Sequence, residues 1–251
     1  MTPQPPLWIQ PRFKTLLVFL FFFFTMHELH ELAHIGTGRL ICGCWGTRDF
    51  NVWDLCGDCL QKRPLSILAT FAGPIFTFVL LWVGWYWVKY GRSPAYRSWG
   101  LVLILGNMPL GRMYMAATSS GDEVWASRRL LLNHDRSNAS VITLVTFLGI
   151  ALICLPPLIT AYKAIANRRK WLIFAGFLIV PLILDTVIIL FLLNGALIKG
   201  VLSGVWIMGT PLLITCWLVL CCIVVGANFN LLTHFGVPPY SRLHPQRTDV
   251  Q

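Results

Sequence analysis

The residues best suited to chemistry sit in one stretch, Phe19 to Arg39, which reads FLFFFFTMHELHELAHIGTGR. Within it, His30-Glu31-Leu32-Ala33-His34 has the form H-E-x-x-H. Residues four apart share a helix face, so both imidazoles project together. Two such nitrogens can hold a zinc ion, and Glu31 beside them can take a proton from a water on that ion. The setting strengthens this reading. Polar and charged side chains inside an apolar helix lose their hydration, a cost that a metal offsets and that a plain core helix would not carry. The alternative is a polar cluster satisfied by hydrogen bonds alone. One zinc ion per chain is the expectation. His27 and Glu28, one turn earlier, are expected to hydrogen-bond within the site and orient a ligand. Direct coordination by His27 is the alternative.

A catalytic zinc takes three protein groups and leaves one position for water, so a third ligand is required. Asp122, in Ser119-Ser120-Gly121-Asp122-Glu123, stands where a helical pattern resumes. It suits an N-cap aspartate, and it also suits the missing ligand, because a helix returning from the opposite surface ends near His34. Asp185 is the rival. It sits in mid-run in Leu184-Asp185-Thr186-Val187, where a carboxylate is protonated, hydrogen-bonded or functional. Asn107, in Gly106-Asn107-Met108-Pro109, is expected to bond a neighbouring helix, and near a zinc site Asn107 and Pro109 would contact substrate backbone.

The elements that must position these groups are apolar helices. Of the 251 residues, 56% are hydrophobic and only 12% charged, with a mean hydropathy of +0.68. Several runs reach the roughly 20 residues that cross a bilayer. The fold class is therefore an all-α polytopic membrane protein of about six transmembrane helices. Residues 1–140 form a three-helix core, and 141–251 add three helices and a polar tail. The spans run from about Lys14 to Thr37, Pro64 to Lys89, from about Arg97 through Pro109 until the chain turns polar after Met115, Val141 to Tyr162, Trp171 to Ile198, and Val201 to Ala227. The apolar start is read as a retained helix and not a signal peptide, since no small-residue cleavage site follows it. The net charge of +10 needs no nucleic acid. Basic residues gather in short loops and meet lipid headgroups.

Between the first two spans, Gly38 to Lys62 is rich in Gly, Trp, Asp and Cys, and Asp49-Phe50-Asn51-Val52 alternates like a strand. A short hairpin or re-entrant loop is expected there. Its Cys42, Cys44, Cys56 and Cys59 would bind a second, structural zinc, form disulfides or stay reduced. Cys154, Cys216, Cys221 and Cys222 lie in apolar runs and read as small buried hydrophobes. Ala69-Thr70-Phe71-Ala72-Gly73-Pro74 offers small residues for close helix packing, as does Gly200-Val201-Leu202-Ser203-Gly204. Trp82, Trp85, Tyr86 and Trp87 beside Lys89 read as an interfacial aromatic belt.

These residues together resemble the site-2 protease family of intramembrane zinc metalloproteases. His30-Glu31-Leu32-Ala33-His34 in one membrane helix, Ala72-Gly73-Pro74 in the next, and Asn107-x-Pro109 before Asp122 carry the likeness, over roughly the first half of the chain. Glu123 stands where that family usually has a glycine after its aspartate ligand, and the gap from Pro109 to Asp122 is longer than usual. The resemblance implies a zinc endopeptidase that cuts a transmembrane segment of another membrane protein, with His30, His34 and Asp122 as ligands and Glu31 as base. It also implies a multi-pass protein, of the cell membrane in a bacterium, with the zinc end of the first helix toward the cytoplasm. Loop charges are too evenly divided to fix orientation. The competing reading is a non-proteolytic metal carrier or scaffold, with His27 as a third imidazole. A di-iron hydroxylase would need more histidines than His134, His234 and His244 add.

Overall fold

The chain is mostly helical, and the run that begins at Phe13 forms its axis. The computed structural model describes residues 6–132 and 138–237, so the ends of both tails, with His134 and His244, lie outside the described residues. From Phe13 to Ile35 the sequence has neither proline nor glycine, and α1 runs unbroken from Phe13 to Cys42. It ends on Gly43, whose φ of 83° is easy only for glycine and lets its N–H reach Arg39 O. Phe19, Phe23 and Phe24 are fully buried along it, because α1 is enclosed on several sides.

Around α1 the chain lays α2 (Cys59–Lys62), a 3-10 turn (Pro64–Ile67), α3 (Leu68–Tyr90), α4 (Pro94–Gly106), α5 (Pro109–Ala117) and α6 (Asp122–Leu131). Then come α7 (Ala139–Ala164) and α8 (Lys170–Asp185), which passes through a π-helical stretch (Thr186–Leu193) into α9 (Asn194–Ile198). A small antiparallel hairpin, β1 (Val205–Ile207) and β2 (Thr210–Pro211), precedes α10 (Leu212–Ala227) and α11 (Phe229–Thr233). Helix α1 packs chiefly on α3 and α10, and α3 chiefly on α4. At that last crossing the backbones nearly touch: a Cβ on Gly84 would lie 2.7 Å from Gly100 O.

Among the described residues, four helical segments are long and apolar enough to span a bilayer: Phe13–Cys42, Pro64–Tyr90, Ala139–Ala164 and Lys170–Ile198. Leu152 and Phe191, on the last two, turn outward at 73% and 71% exposure, as lipid-facing side chains do and a water-facing surface rarely tolerates. The chain is thus built as a multi-pass integral membrane protein, with four full-length spans where six were expected. The third expected span breaks at Asn107-Met108, where Met108 takes a left-handed φ of 52° ahead of Pro109. The sixth is shortened because Val201 to Pro211 forms turns and the hairpin, leaving 16 residues in α10. The small residues of Gly200 to Gly204 therefore lie outside any helix. Cys154 and Cys221 are buried as expected, whereas Cys216 and Cys222 are exposed on the outer side of α10.

The loop after α1 is the expected hairpin. Arg48 and Trp53 form a β-bridge, and Asp49 Oδ1 closes the turn by accepting from Asn51 N at 2.8 Å and Val52 N at 2.7 Å. Its four cysteines pair as Cys42–Cys59 and Cys44–Cys56, the disulfide alternative, which ties the end of α1 to α2. The loop also anchors inward. Arg48 donates to Glu28 of α1, both side chains fully buried, and Asn194 Nδ2 of α9 donates to Asn51 Oδ1 at 2.8 Å. Removing one partner of a buried ion pair strands the other's charge, at about 3–5 kcal/mol. Arg48→Ala is therefore expected to lower the unfolding midpoint of the detergent-solubilised protein. Replacing Arg48 and Glu28 together by Met and Leu should recover most of that loss; an Arg48→Ala midpoint equal to wild type would contradict the pair's role.

Candidate metal centre

His30 and His34 both face α3, and the contact is set by matched spacing. Ala69, Gly73 and Thr77 recur every four residues on α3, as the histidines do on α1, so two helical faces meet in register. His34 Nδ1 donates to Ala69 O at 2.7 Å, a carbonyl that can only accept. Thr77 spends its hydroxyl proton on Gly73 O at 3.0 Å, so at 2.8 Å it accepts from His30 Nδ1. Both rings are thus fixed in the tautomer that leaves Nε2 bare, the arrangement that orients histidines toward a metal. Between the two anchors Gly73 has no side chain, and the imidazoles come up against its Cα. Trp53 of the loop stacks on the His34 ring, with centroids 4.7 Å apart and planes 12° from parallel.

Asp122 completes the group from α6. Gly121 takes the cap position with a φ of 86°, so Asp122 opens the helix itself and does not cap it, contrary to the capping expectation. Its Oδ2 lies 3.4 Å from His30 Nε2 and 3.5 Å from His34 Nε2, and the two Nε2 atoms are 3.2 Å apart. A tetrahedral zinc with bonds of about 2.0–2.1 Å would space its ligand atoms by about 3.3 Å. The triangle has the size that such an ion requires. Burial alone would favour a protonated Asp122, but the Arg112 guanidinium, whose Nη2 donates to Oδ2 at 3.0 Å, holds the carboxyl below the usual carboxylate range. Three ligand-type atoms therefore converge, with Arg112 Nη2 donating to Asp122 Oδ2 beside them, and the group could hold a metal ion.

Glu31 lies between the two histidines in sequence, 6% exposed, and its Oε2 has no hydrogen-bond partner among the described residues. A buried carboxylate oxygen left unmatched is the atom expected of a base that waits for water.

Comparison with protein-family models, curated proteins and solved structures gives no match. The site must stand on its own geometry.

The remaining expected residues divide. Asp185, the rival ligand, turns away from the triangle and bonds His27, Oδ1 to Nδ1 at 2.8 Å. Both are buried, and His27 is thereby drawn to α8 and not into the triangle. Glu28 is engaged by Arg48. Asn107 Nδ2 donates to Leu103 O at 2.7 Å and finishes α4, while its buried Oδ1 is unpartnered among the described residues. Pro109 opens α5.

Thr77 and Arg112 had no reading from sequence. Thr77 carries the same four-residue offset from Gly73 that Gly73 has from Ala69, a signal that could have marked it. Arg112, on α5, donates from Nε to Glu123 Oε1 at 3.0 Å and from Nη2 to Glu123 Oε2 at 2.6 Å and Asp122 Oδ2 at 3.0 Å. Nothing local to Arg112 announces this.

Proposed function

We propose that the chain is a zinc-dependent intramembrane endopeptidase, which hydrolyses a peptide bond in or near a transmembrane segment of another membrane protein. The observation that carries this reading is the triangle of His30 Nε2, His34 Nε2 and Asp122 Oδ2, the one group of three or more potential ligands that converges among the described residues. Zinc held there supplies Lewis acidity, which polarises a carbonyl and makes water acidic near neutral pH. The chain's own residues do the rest. His30 and His34, pinned through Nδ1, keep two ligand atoms from drifting. Glu31 Oε2 accepts the proton of the attacking water and passes it to the leaving amine nitrogen. The new carbon–oxygen bond replaces the broken carbon–nitrogen bond, and the proton count closes.

A transmembrane substrate also needs somewhere to lie. Two open apolar grooves flank α3 and share Phe71 and Ile75. One of them reaches Glu123, next to Asp122. A helix laid in that groove would have its amides within reach once it unwinds locally, since helical amides are shielded by their own hydrogen bonds. The carrier reading is weaker because His27, its third imidazole, is bonded to Asp185.

The deciding test is the zinc content of purified, detergent-solubilised protein. Wild type and Asp185→Ala are expected to hold one zinc ion per chain, and His34→Ala and Asp122→Ala almost none. Wild type without zinc, or loss on Asp185→Ala with retention on Asp122→Ala, would overturn the assignment.

A further inference from the structure

Arg112 makes three bonds to carboxylate oxygens, but they leave one end of its guanidinium uncommitted. Nε and Nη2 are bound to Glu123 and Asp122, while Nη1 points at His30 Nε2 from 3.4 Å. That nitrogen is a ligand atom. Once it binds a metal, its lone pair is no longer open to Nη1, and an N–H at the edge of the centre needs another acceptor. The side chain is only 11% exposed, so bulk water is a poor substitute. Resting on the proposed function, we propose that Arg112 is a catalytic residue: its Nη1 donates to the negative charge that develops on the scissile carbonyl oxygen.

The charge arrangement favours this role over simple neutralisation. Glu123 alone would satisfy a guanidinium through the paired bond it already makes. A cation set beside a bound metal would be repelled by it, a cost that Glu123 and Asp122 offset in the resting state. It becomes useful when negative charge forms between the two, and an interaction stronger in the transition state than in the ground state is one that accelerates the step. Placement follows from the helix break. The turn at Asn107-Met108 ends α4 and restarts the chain as α5, one turn of which brings Arg112 to the triangle. The fork is held on the far side by Glu123, so Nη1 is presented without having to move.

The test uses the full chain in detergent, as Arg112→Gln combined with Glu123→Gln, which leaves no stranded charge; Arg112→Lys with native Glu123 serves as the second variant. Zinc content, kcat and KM on a transmembrane reporter peptide, and binding of acetohydroxamate to the cobalt-substituted protein by visible absorption are measured. Expected are full metal content, an unchanged KM, a kcat lower by about 10²–10³-fold, and hydroxamate binding weakened at least about tenfold in both variants. Loss of the metal would overturn the proposal and make Arg112 a positioning residue for Asp122. Full metal with wild-type kcat and wild-type hydroxamate affinity would overturn it as well. Wild-type protein that binds zinc and hydroxamate but cuts nothing would instead refute the peptidase reading; anion binding that still depends on Arg112 would then remain as support for the donor role.

Discussion

Gly73→Ala is expected to abolish metal binding while leaving the helix bundle intact. The added Cβ would lie 2.3 Å from His34 Nε2 and 2.7 Å from His30 Nε2, inside contact distance of both ligand atoms. Neither ring can swing aside cheaply, since each is held through Nδ1 by the same helix that carries residue 73, at Ala69 O and Thr77 Oγ1. The methyl group would therefore push the imidazoles off α3 and break the bonds that keep Nε2 bare. Displacing one such outer partner ordinarily weakens metal affinity by about 10–100-fold, and here both are displaced at once. Alanine also favours a helix interior over glycine by about 1 kcal/mol, so secondary structure should not suffer. Zinc content by elemental analysis, read beside the circular dichroism of the same sample, checks both halves. A Gly73→Ala protein with wild-type zinc would mean that the rings have more freedom than these bonds allow.

Glu31→Gln should have the opposite signature: full zinc and almost no hydrolysis. The amide matches the carboxylate in size and keeps an oxygen, but it cannot take up the proton that the attacking water must lose. Positioned proton transfer contributes about 10²–10⁴-fold in rate, and the turnover of a transmembrane reporter peptide should fall by that factor. KM should hold, because Glu31 is assigned no part in binding the substrate. Turnover at the wild-type rate would remove Glu31 from the reaction and with it the hydrolytic mechanism.

What could be read from sequence was what repeats at short range. His30, Glu31 and His34 declare themselves because four residues make about one helical turn, and Asp122 because a helix must start near it. Gly73 was visible only as part of a small-residue patch suited to helix packing; that it faces imidazole nitrogens depends on how α1 and α3 meet. The backbone contact expected of such a patch falls further along, at Gly84 and Gly100. Thr77 and Arg112 reach His30 across 47 and 82 positions of chain, too far for any local pattern to register. Two helical readings failed where apolarity outvoted turn chemistry. Pro109 marked the break at Met108, and Gly200 and Gly209, both at positive φ, marked the hairpin that displaced the start of the last helix.

The stapled loop ties the site to its surroundings in a way that the ligands alone do not. Cys42–Cys59 and Cys44–Cys56 hold the hairpin that lays Trp53 over His34 and Arg48 against Glu28. Disulfides last where thiols are not continually reduced, as outside the cytoplasm. The direction in which this chain threads its membrane therefore also sets how firmly the wall over His34 stands. With that end in an oxidising compartment the wall is cross-linked; with the same end in a reducing cytoplasm, four free thiols would leave it held only by non-covalent contacts, among them those of Arg48, Phe50, Asn51 and Trp53. A reductant added during purification would make the second case out of the first.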